Sequence, residues 1–297
     1  MTQMTQPATA RIGVIGLGEA GSAIAGGLAE LGVAIVGYDA RADAPAVLAT
    51  AERAGVTLAG SVAELVAAVD VVMCLTKAAA AVQVARAAAP ELRARHVYAD
   101  LNSASPEVKR AAAAAVEHTG ALFADVAIMA AVPPHRHLVP MLVSGSGAQA
   151  FSDQVSPFGM HADVLGDRVG QASAVKMYRS LLIKGIEALV FECALGASAE
   201  GALDRVLESM AGSLPFGDWA ELATYLMGRS VAHGDRRAAE LREVAATLAE
   251  AGIDPALANA AAARLEWVAA RGLAARFAGR DPRDYQEILD ALHESGA

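Results

Sequence analysis

Along the first half of the chain, short apolar runs alternate with longer stretches whose apolar positions recur every three or four residues. The short runs predict strands at 11–18, 33–39, 71–76, 96–102, 122–129, 140–145 and 161–167. The stretches 20–32, 45–55, 61–70, 78–93 and 105–120 read as helices, the third with Ser61 and Glu64 placed for a capping box. Such alternation predicts a parallel sheet covered by helices on both faces. From about residue 168 no strand pattern follows, and helices are expected at 171–200, 201–210, 218–227, 237–251, 255–271 and 281–295. Their breaks fall at Gly201, the run from Gly212 to Pro215, Gly228, Gly234, Gly252 and Gly279. The fold class expected is therefore α/β: a doubly wound domain over 1–168, a long connecting helix, and an all-helical domain over 169–297.

The connecting helix, "QASAVKMYRSLLIKGIEALVFECAL" (171–195), is mostly apolar but carries Ser173, Lys176, Ser180, Lys184 and Glu187. At about 100° per residue these five share an arc of roughly 80°. A narrow polar seam on an apolar helix requires partners or a function. Lys184 and Glu187, three residues apart, are expected to pair locally.

Composition narrows the function classes. Of 297 residues 55% are hydrophobic, 4% are aromatic, and the formal net charge is −9. The pI near 5.3 and scarce aromatics argue against nucleic acid or an anionic membrane as partner. No signal-peptide pattern and no long uninterrupted apolar run is present, so a soluble cytoplasmic protein is expected. The two cysteines, Cys74 and Cys193, have neither disulfide-framework nor zinc spacing.

The hexapeptide "GLGEAG" (Gly16, Leu17, Gly18, Glu19, Ala20, Gly21) follows the first strand and opens the first helix. This is the context in which a GxGxxG run binds a dinucleotide pyrophosphate at a helix N-terminus. Asp39 ends the second strand, 23 residues after Gly16, placed to accept hydrogen bonds from an adenosine ribose. That points to NAD, while Arg41 could meet a 2′-phosphate and keeps NADP open.

Four blocks together resemble the β-hydroxyacid dehydrogenase superfamily, which includes 6-phosphogluconate and 3-hydroxyisobutyrate dehydrogenases. They are "IGVIGLGEAGSAIAGGL", "VVMCLT", "DLNSASP" and the helix bearing Lys176. The resemblance implies a Rossmann domain, a long interdomain helix and an all-helical C-terminal domain, usually assembled as dimers or tetramers, with a homodimer through the helical domain expected here. It implies oxidation of a small anionic hydroxy acid, with Lys176 as acid/base. Leu75 and Thr76 would line the cofactor cleft, and Asn102, Ser103 and Ser180 would orient the substrate. Two positions depart from the family pattern. Ser180 stands where an Asn is usual, and Met129-Ala130-Ala131 replaces a Ser-Gly-Gly turn. "DVAIMAAVPP", "ASAVKMYRSLLIKGIEAL" and "HGDRRAAELREVAATLAEAG" further resemble a subgroup whose C-terminal domain is 6-phosphogluconate-dehydrogenase-like.

Other candidates are weaker. His135 and His137 lie in a stiff proline-rich loop without a third ligand, so substrate-loop residues are expected there and no metal site. Arg229, His233, Arg236 and Arg237 cluster in an otherwise acidic chain. They read either as a solvated helix start or as a cationic site for an anionic substrate. Two rival functions share this architecture: an imine reductase, against which Lys176 counts, and a sensor or scaffold that binds NAD(P)(H) without chemistry.

Overall fold

The computed structural model describes residues 10–210, 218–278 and 280–295, apart from the side chains of residues 192, 195, 196 and 199. The breaks expected at 212–215 and at Gly279 lie outside the described residues. The chain divides into two compact units, Met1–Lys176 and Met177–Ala297.

The first unit runs β1 (Ile12–Ile15), α1 (Glu19–Ala29), β2 (Ile35–Tyr38), α2 (Pro45–Arg53), β3 (Val56–Leu58), α3 (Val62–Ala68), β4 (Val71–Cys74) and α4 (Ala81–Ala88). It continues through β5 (Val97–Asp100), α5 (Pro106–Glu117), β6 (Leu122–Ile128), a one-turn α6 (Val132–His135), β7 (Met141–Ser144), α7 (Ala148–Val155) and β8 (Ala162–Gly166). The eight strands form one sheet in the order β3-β2-β1-β4-β5-β6-β7-β8. All neighbours are parallel except β6 and β7. Successive side chains along a strand point to opposite faces, which divides the core in two. Ile12 and Val14 of β1 join Ile24 and Leu28 of α1, Val47 of α2 and Phe151 of α7 on one face. Ile15, Val72, Tyr98 and Phe123 meet Leu65 and Val66 of α3, Ala85 of α4 and Val116 of α5 on the other.

Several elements differ from the sequence expectation, the one-turn α6 and the short helix at Leu273–Arg276 among them. β3 was not expected, because three residues at the edge of the sheet are too short to show a period. The helix α7 was likewise unmarked, and β7 lies antiparallel to β6.

The long helix α8 (Gln171–Ala199) starts in the first unit and continues into the second. Then follow α9 (Leu203–Met210), α10 (Trp219–Glu250), α11 (Ala256–Ala269), α12 (Leu273–Arg276) and α13 (Tyr285–Glu294). The two helices expected at 218–227 and 237–251 run end to end as α10 and meet at a kink at His233, whose backbone is non-helical (φ −136°, ψ 21°), beside the break expected at Gly234. Gly234 lets α11 come close: a Cβ there would stand 3.0 Å from the Leu265 carbonyl oxygen. Phe191, Leu207, Met227, Val231, Val268, Ile288 and Leu292 fill the core of this unit.

The start of α13 is held by an acid-sensitive set of contacts. Asp284 caps the Glu287 amide at 2.8 Å, and Glu287 accepts hydrogen bonds from Arg280 and from the Arg283 backbone N–H. Arg280 above all holds the Glu287 carboxyl down at about 2. A carboxylate lowered in the folded state supports the fold above its ordinary value of 4.5, and that support fades as pH falls toward about 2. Glu287→Gln should therefore flatten the loss of thermal stability across this acid window, read as Tm against pH.

Candidate active site

The order of strands reverses between β1 and β4, since β2 and β3 lie on one side of β1 and β4 on the other. Open α/β sheets bind ligands at such a switch point, outside the carboxyl ends of the strands. Ile15 of β1 pairs with Cys74 of β4, Cys74 with Asp100 of β5, Asp100 with Asp125 of β6, and Asp125 with Ser144 of β7. One transverse row of the sheet thus carries Cys74, Asp100, Asp125 and Ser144. The loops bearing the expected cofactor residues leave directly from it.

Gly16 follows Ile15 with φ at +95°, and its N–H donates to the Tyr38 carbonyl at 2.7 Å. A Cβ on Gly16 would collide with the Leu75 carbonyl, and one on Gly21 with the Gly16 carbonyl. Gly18 is the N-cap of α1, with no side-chain cap hydrogen bond and open space where a Cβ would stand. Free helix N–H donors beside an open backbone form the cradle that a pyrophosphate requires. Glu19 is exposed and Ala20 half-buried at the first helical positions. The buried Asp39 holds this turn from below: one carboxylate oxygen accepts from the Leu17 N–H at 3.0 Å, the other from the Arg41 N–H at 2.9 Å. The Arg41 guanidinium is exposed, 3.7 Å from the same carboxylate. Gly21→Ala should push the Gly16 carbonyl into the cradle and weaken NAD(H) binding about tenfold or more, read by fluorescence titration, with little change in helix content.

Across the switch point, the Leu75 N–H donates to the Ile15 carbonyl at 2.8 Å. The Thr76 N–H donates to Asn102 Oδ1 at 2.6 Å, and Asn102 Nδ2 donates to Cys74 Sγ at 3.3 Å. Asn102 is 3% exposed, so its amide braces two loops, while the neighbouring Ser103 is exposed. Burial pushes the Cys74 thiol above its ordinary pKa, so this cysteine is a poor nucleophile. Met129 is half-buried at the end of β6, its N–H donating to the Pro140 carbonyl at 2.9 Å.

Four side chains that sequence reasoning did not single out connect this row to the connecting helix. Lys109 of α5, fully buried, directs Nζ to the Asp100 carbonyl at 2.5 Å, the Asp100 carboxylate at 3.2 Å and the Asp125 carboxylate at 3.4 Å. The second Asp125 oxygen accepts from the Gly170 N–H at 3.1 Å, the Ser173 N–H at 3.2 Å and Ser173 Oγ at 3.1 Å. Ser144 Oγ donates to that oxygen and accepts from the Ala172 N–H at 3.0 Å. Asp125 is thereby a cap for α8 supplied from within the sheet, with the carboxylate against the positive end of the helix. The available signal was an aspartate inside the apolar run "LFADVAIM".

Lys176 lies half-buried one turn along α8 from Ser173, and Ser180 is half-buried one turn further. The expected local pair of Lys184 with Glu187 gives way to pairs between helices. Lys184 meets Glu240 of α10 at 2.8 Å, and Glu187 accepts from Arg237 of α10, with Arg229 at 3.7 Å. Both α8 residues are buried, where an arginine fork or an ammonium from a facing helix satisfies a charge better than a flexible neighbour on the same helix. Burial lowers the Lys184 ammonium, an effect that Glu240 offsets in part. Arg236 is exposed and pairs with Glu240 at 2.7 Å, and His233 is exposed at the break in α10.

The loop after β6 packs on α1. His137 lies against Gly27, and Arg136 pairs with Glu30 at 2.6 Å while holding a positive φ of 53°. Such a backbone costs a non-glycine residue about 1–3 kcal/mol. Burial lowers the His137 pKa, while His135 is exposed.

The sheet order, the glycine turn at the switch point and the helices that follow define a dinucleotide-binding Rossmann domain joined to an all-helical one. Residues 11–158 match the NAD binding domain of 6-phosphogluconate dehydrogenase, and residues 197–268 match a domain of unknown function, DUF1932. The chain belongs to the β-hydroxyacid dehydrogenase-like family and is an NAD(P)-dependent oxidoreductase of that type. It is 34% identical to a conserved hypothetical protein from Sinorhizobium meliloti 1021, covering 99% of each chain with a TM-score of 0.83. It is 31% identical to conserved protein MTH1747, of unknown function and structurally similar to 3-hydroxyacid dehydrogenases. That match covers 87% of this chain and 96% of the other, with a TM-score of 0.76. A 28.5 kDa uncharacterised protein from Methanothermus fervidus is 28% identical over 158 residues, which span 53% of this chain and 60% of that protein. The fold alone is shared with Mycobacterium tuberculosis 3-hydroxyisobutyrate dehydrogenase, at 18% identity over 98% of this chain and 100% of that one (TM-score 0.73). The same holds for a reductive aminase from Aspergillus terreus, at 21% identity over 96% and 100% (TM-score 0.56). Among the described residues, no helix is long and apolar enough to cross a membrane.

Proposed function

We propose that this protein transfers a hydride between a nicotinamide cofactor and a small anionic hydroxy acid or the matching oxo acid, with Lys176 as the general acid/base. The observation that carries the reading is the common root of the two halves of the site. The glycine turn, the Leu75–Thr76 loop and the Asn102 loop leave one transverse row of the sheet, and α8 is capped on that same row by Asp125. Lys176 stands one turn above that cap.

The cradle of Gly16, Gly18 and Gly21 would hold the pyrophosphate, and Asp39 the adenosine ribose, which favours NAD over NADP. When bound, the nicotinamide accepts or returns the hydride. Lys176 takes the hydroxyl proton during oxidation and gives it back during reduction, and Ser103 and Ser180 orient the substrate through hydrogen bonds. Leu75 and Thr76 line the cofactor cleft, and Met129 adjoins the substrate. His233 and Arg236 are the side chains assigned to the anionic group, in a homodimer formed through the helical domain.

The test is absorbance at 340 nm with NAD and NADP over a panel of anionic and neutral hydroxy acids. Turnover with NAD on anionic members is the expected result. Cofactor binding without turnover on any member would favour a sensor, and turnover confined to imines would favour a reductase of the aminase type.

A further inference from the structure

The chain has 24 basic residues but only four lysines: Lys77, Lys109, Lys176 and Lys184. Lys109 is the one that is fully buried in the first unit, and it contacts two strands at once, the end of β5 and the middle of β6. A buried lysine between two buried carboxyls is a costly way to stabilise a fold, because well-packed apolar side chains of similar volume often do as well or better. What such a group supplies is fixed geometry, and here its contacts can be followed in both directions.

Toward the cofactor side, the Asp100 carboxylate that faces Lys109 accepts the Asn102 N–H at 2.9 Å. Asn102 in turn holds the Thr76 N–H at 2.6 Å. Toward the helix, the Asp125 carboxylate that faces Lys109 with one oxygen holds Gly170 and Ser173 with the other. The carboxylate plane of Asp125 is therefore set from both sides, by an ammonium on one and by the first turn of α8 on the other. Ser144 adds a third fixing point by bridging Asp125 to the Ala172 N–H. An unbroken chain of buried polar contacts runs from Thr76 through Asn102, Asp100, Lys109 and Asp125 to Ser173, three residues before Lys176.

We infer that Lys109, Asp100 and Asp125 are positioning residues that lock the first turn of α8 to the cofactor-side loops, so that Lys176 is held at a fixed height and rotation above the sheet. The inference rests on Lys176 being the proton-transfer residue proposed above. Loss of this lock displaces the Lys176 ammonium without touching the glycine cradle. A displacement on the order of 1 Å can lower turnover about a hundredfold.

The test uses the full chain with NAD bound and two substitutions, Ser173→Ala and Asp125→Asn. Ser173→Ala removes one hydroxyl and retains every backbone bond, so it keeps the question open to measurement should Asp125→Asn fail to fold. Lysine side chains are reductively methylated with carbon-13 and observed by NMR, the Lys176 signal being assigned by its loss in Lys176→Arg. The expected result is a shifted or split Lys176 signal in both variants, with the Lys184 signal unmoved. The hydroxy acid that gives turnover should show kcat reduced about ten- to a hundredfold, with the KM for cofactor unchanged. A Lys176 signal superimposable on that of the parent protein in a folded variant would overturn the inference. So would a fall in stability with kcat intact. Lys176→Ala, measured alongside, separates the two readings. Full turnover there would overturn the proposed role of Lys176, and the positioning assignment with it. Lost turnover there, with an unmoved Lys176 signal in the other variants, would overturn the positioning assignment alone.

Discussion

Replacing Lys176 by alanine should leave NAD(H) binding unchanged and lower kcat by about 10²–10⁴, the range in which general acid–base catalysis contributes. The glycine cradle and Asp39 make no use of the lysine, so dissociation constants from fluorescence titration should match those of the parent protein. The loss should sit in kcat more than in KM, because proton transfer is required only in the transition state. Lys176→Arg should rescue little, since a guanidinium remains protonated at working pH and is a poor base. A Lys176→Ala protein with parental turnover would remove the lysine from the chemistry.

The second large effect is on stability. Lys109→Met leaves Asp100 and Asp125, both buried, facing one another without their cation. Breaking a buried pair by removing one partner typically costs about 3–5 kcal/mol. For a protein of this size that corresponds to a fall in Tm of roughly 10 °C. Adding Asp125→Asn to Lys109→Met removes one of the stranded carboxylates and should return part of the lost stability, measured by urea unfolding. Turnover should stay low in the double variant, because no carboxylate remains at position 125 to cap the first turn of α8.

Much of the fold was legible because its signals are local. A strand of four buried residues followed by a glycine turn and a helix is visible in ten consecutive positions, and Asp39 follows at a readable distance. The long helix 171–199 stood out for the same reason, through a continuous apolar surface with one polar seam. What escaped was set by contacts between segments distant in sequence. Asp100, Asp125 and Ser144 fall in one row only because β5, β6 and β7 pair in a particular register, which no single strand records. Lys184 and Glu187 looked like neighbours, and the partners that satisfy them lie some fifty residues away on α10. Gly228 read as a helix end, yet the helix runs through it, whereas the break read at Gly234 falls one residue earlier, at the non-helical His233, with Gly234 packed closely against α11. The short β3 showed no period because three residues cannot.

The seam on α8 is thereby divided by role. Ser173 belongs to the cap, Lys176 to the proposed chemistry, and Lys184 and Glu187 to the packing of α8 on α10. Ser180 is half-buried between them.

In the proposed function, one row of the sheet places cofactor and lysine for the same reaction. A crystal structure of the protein with NAD and a bound hydroxy acid tests it most directly. The pyrophosphate is expected on the Gly16–Gly21 turn, and the Lys176 ammonium within hydrogen-bond reach of the carbinol oxygen, directly or through one water. A dinucleotide bound elsewhere, or a Lys176 ammonium turned away from the nicotinamide, would contradict it.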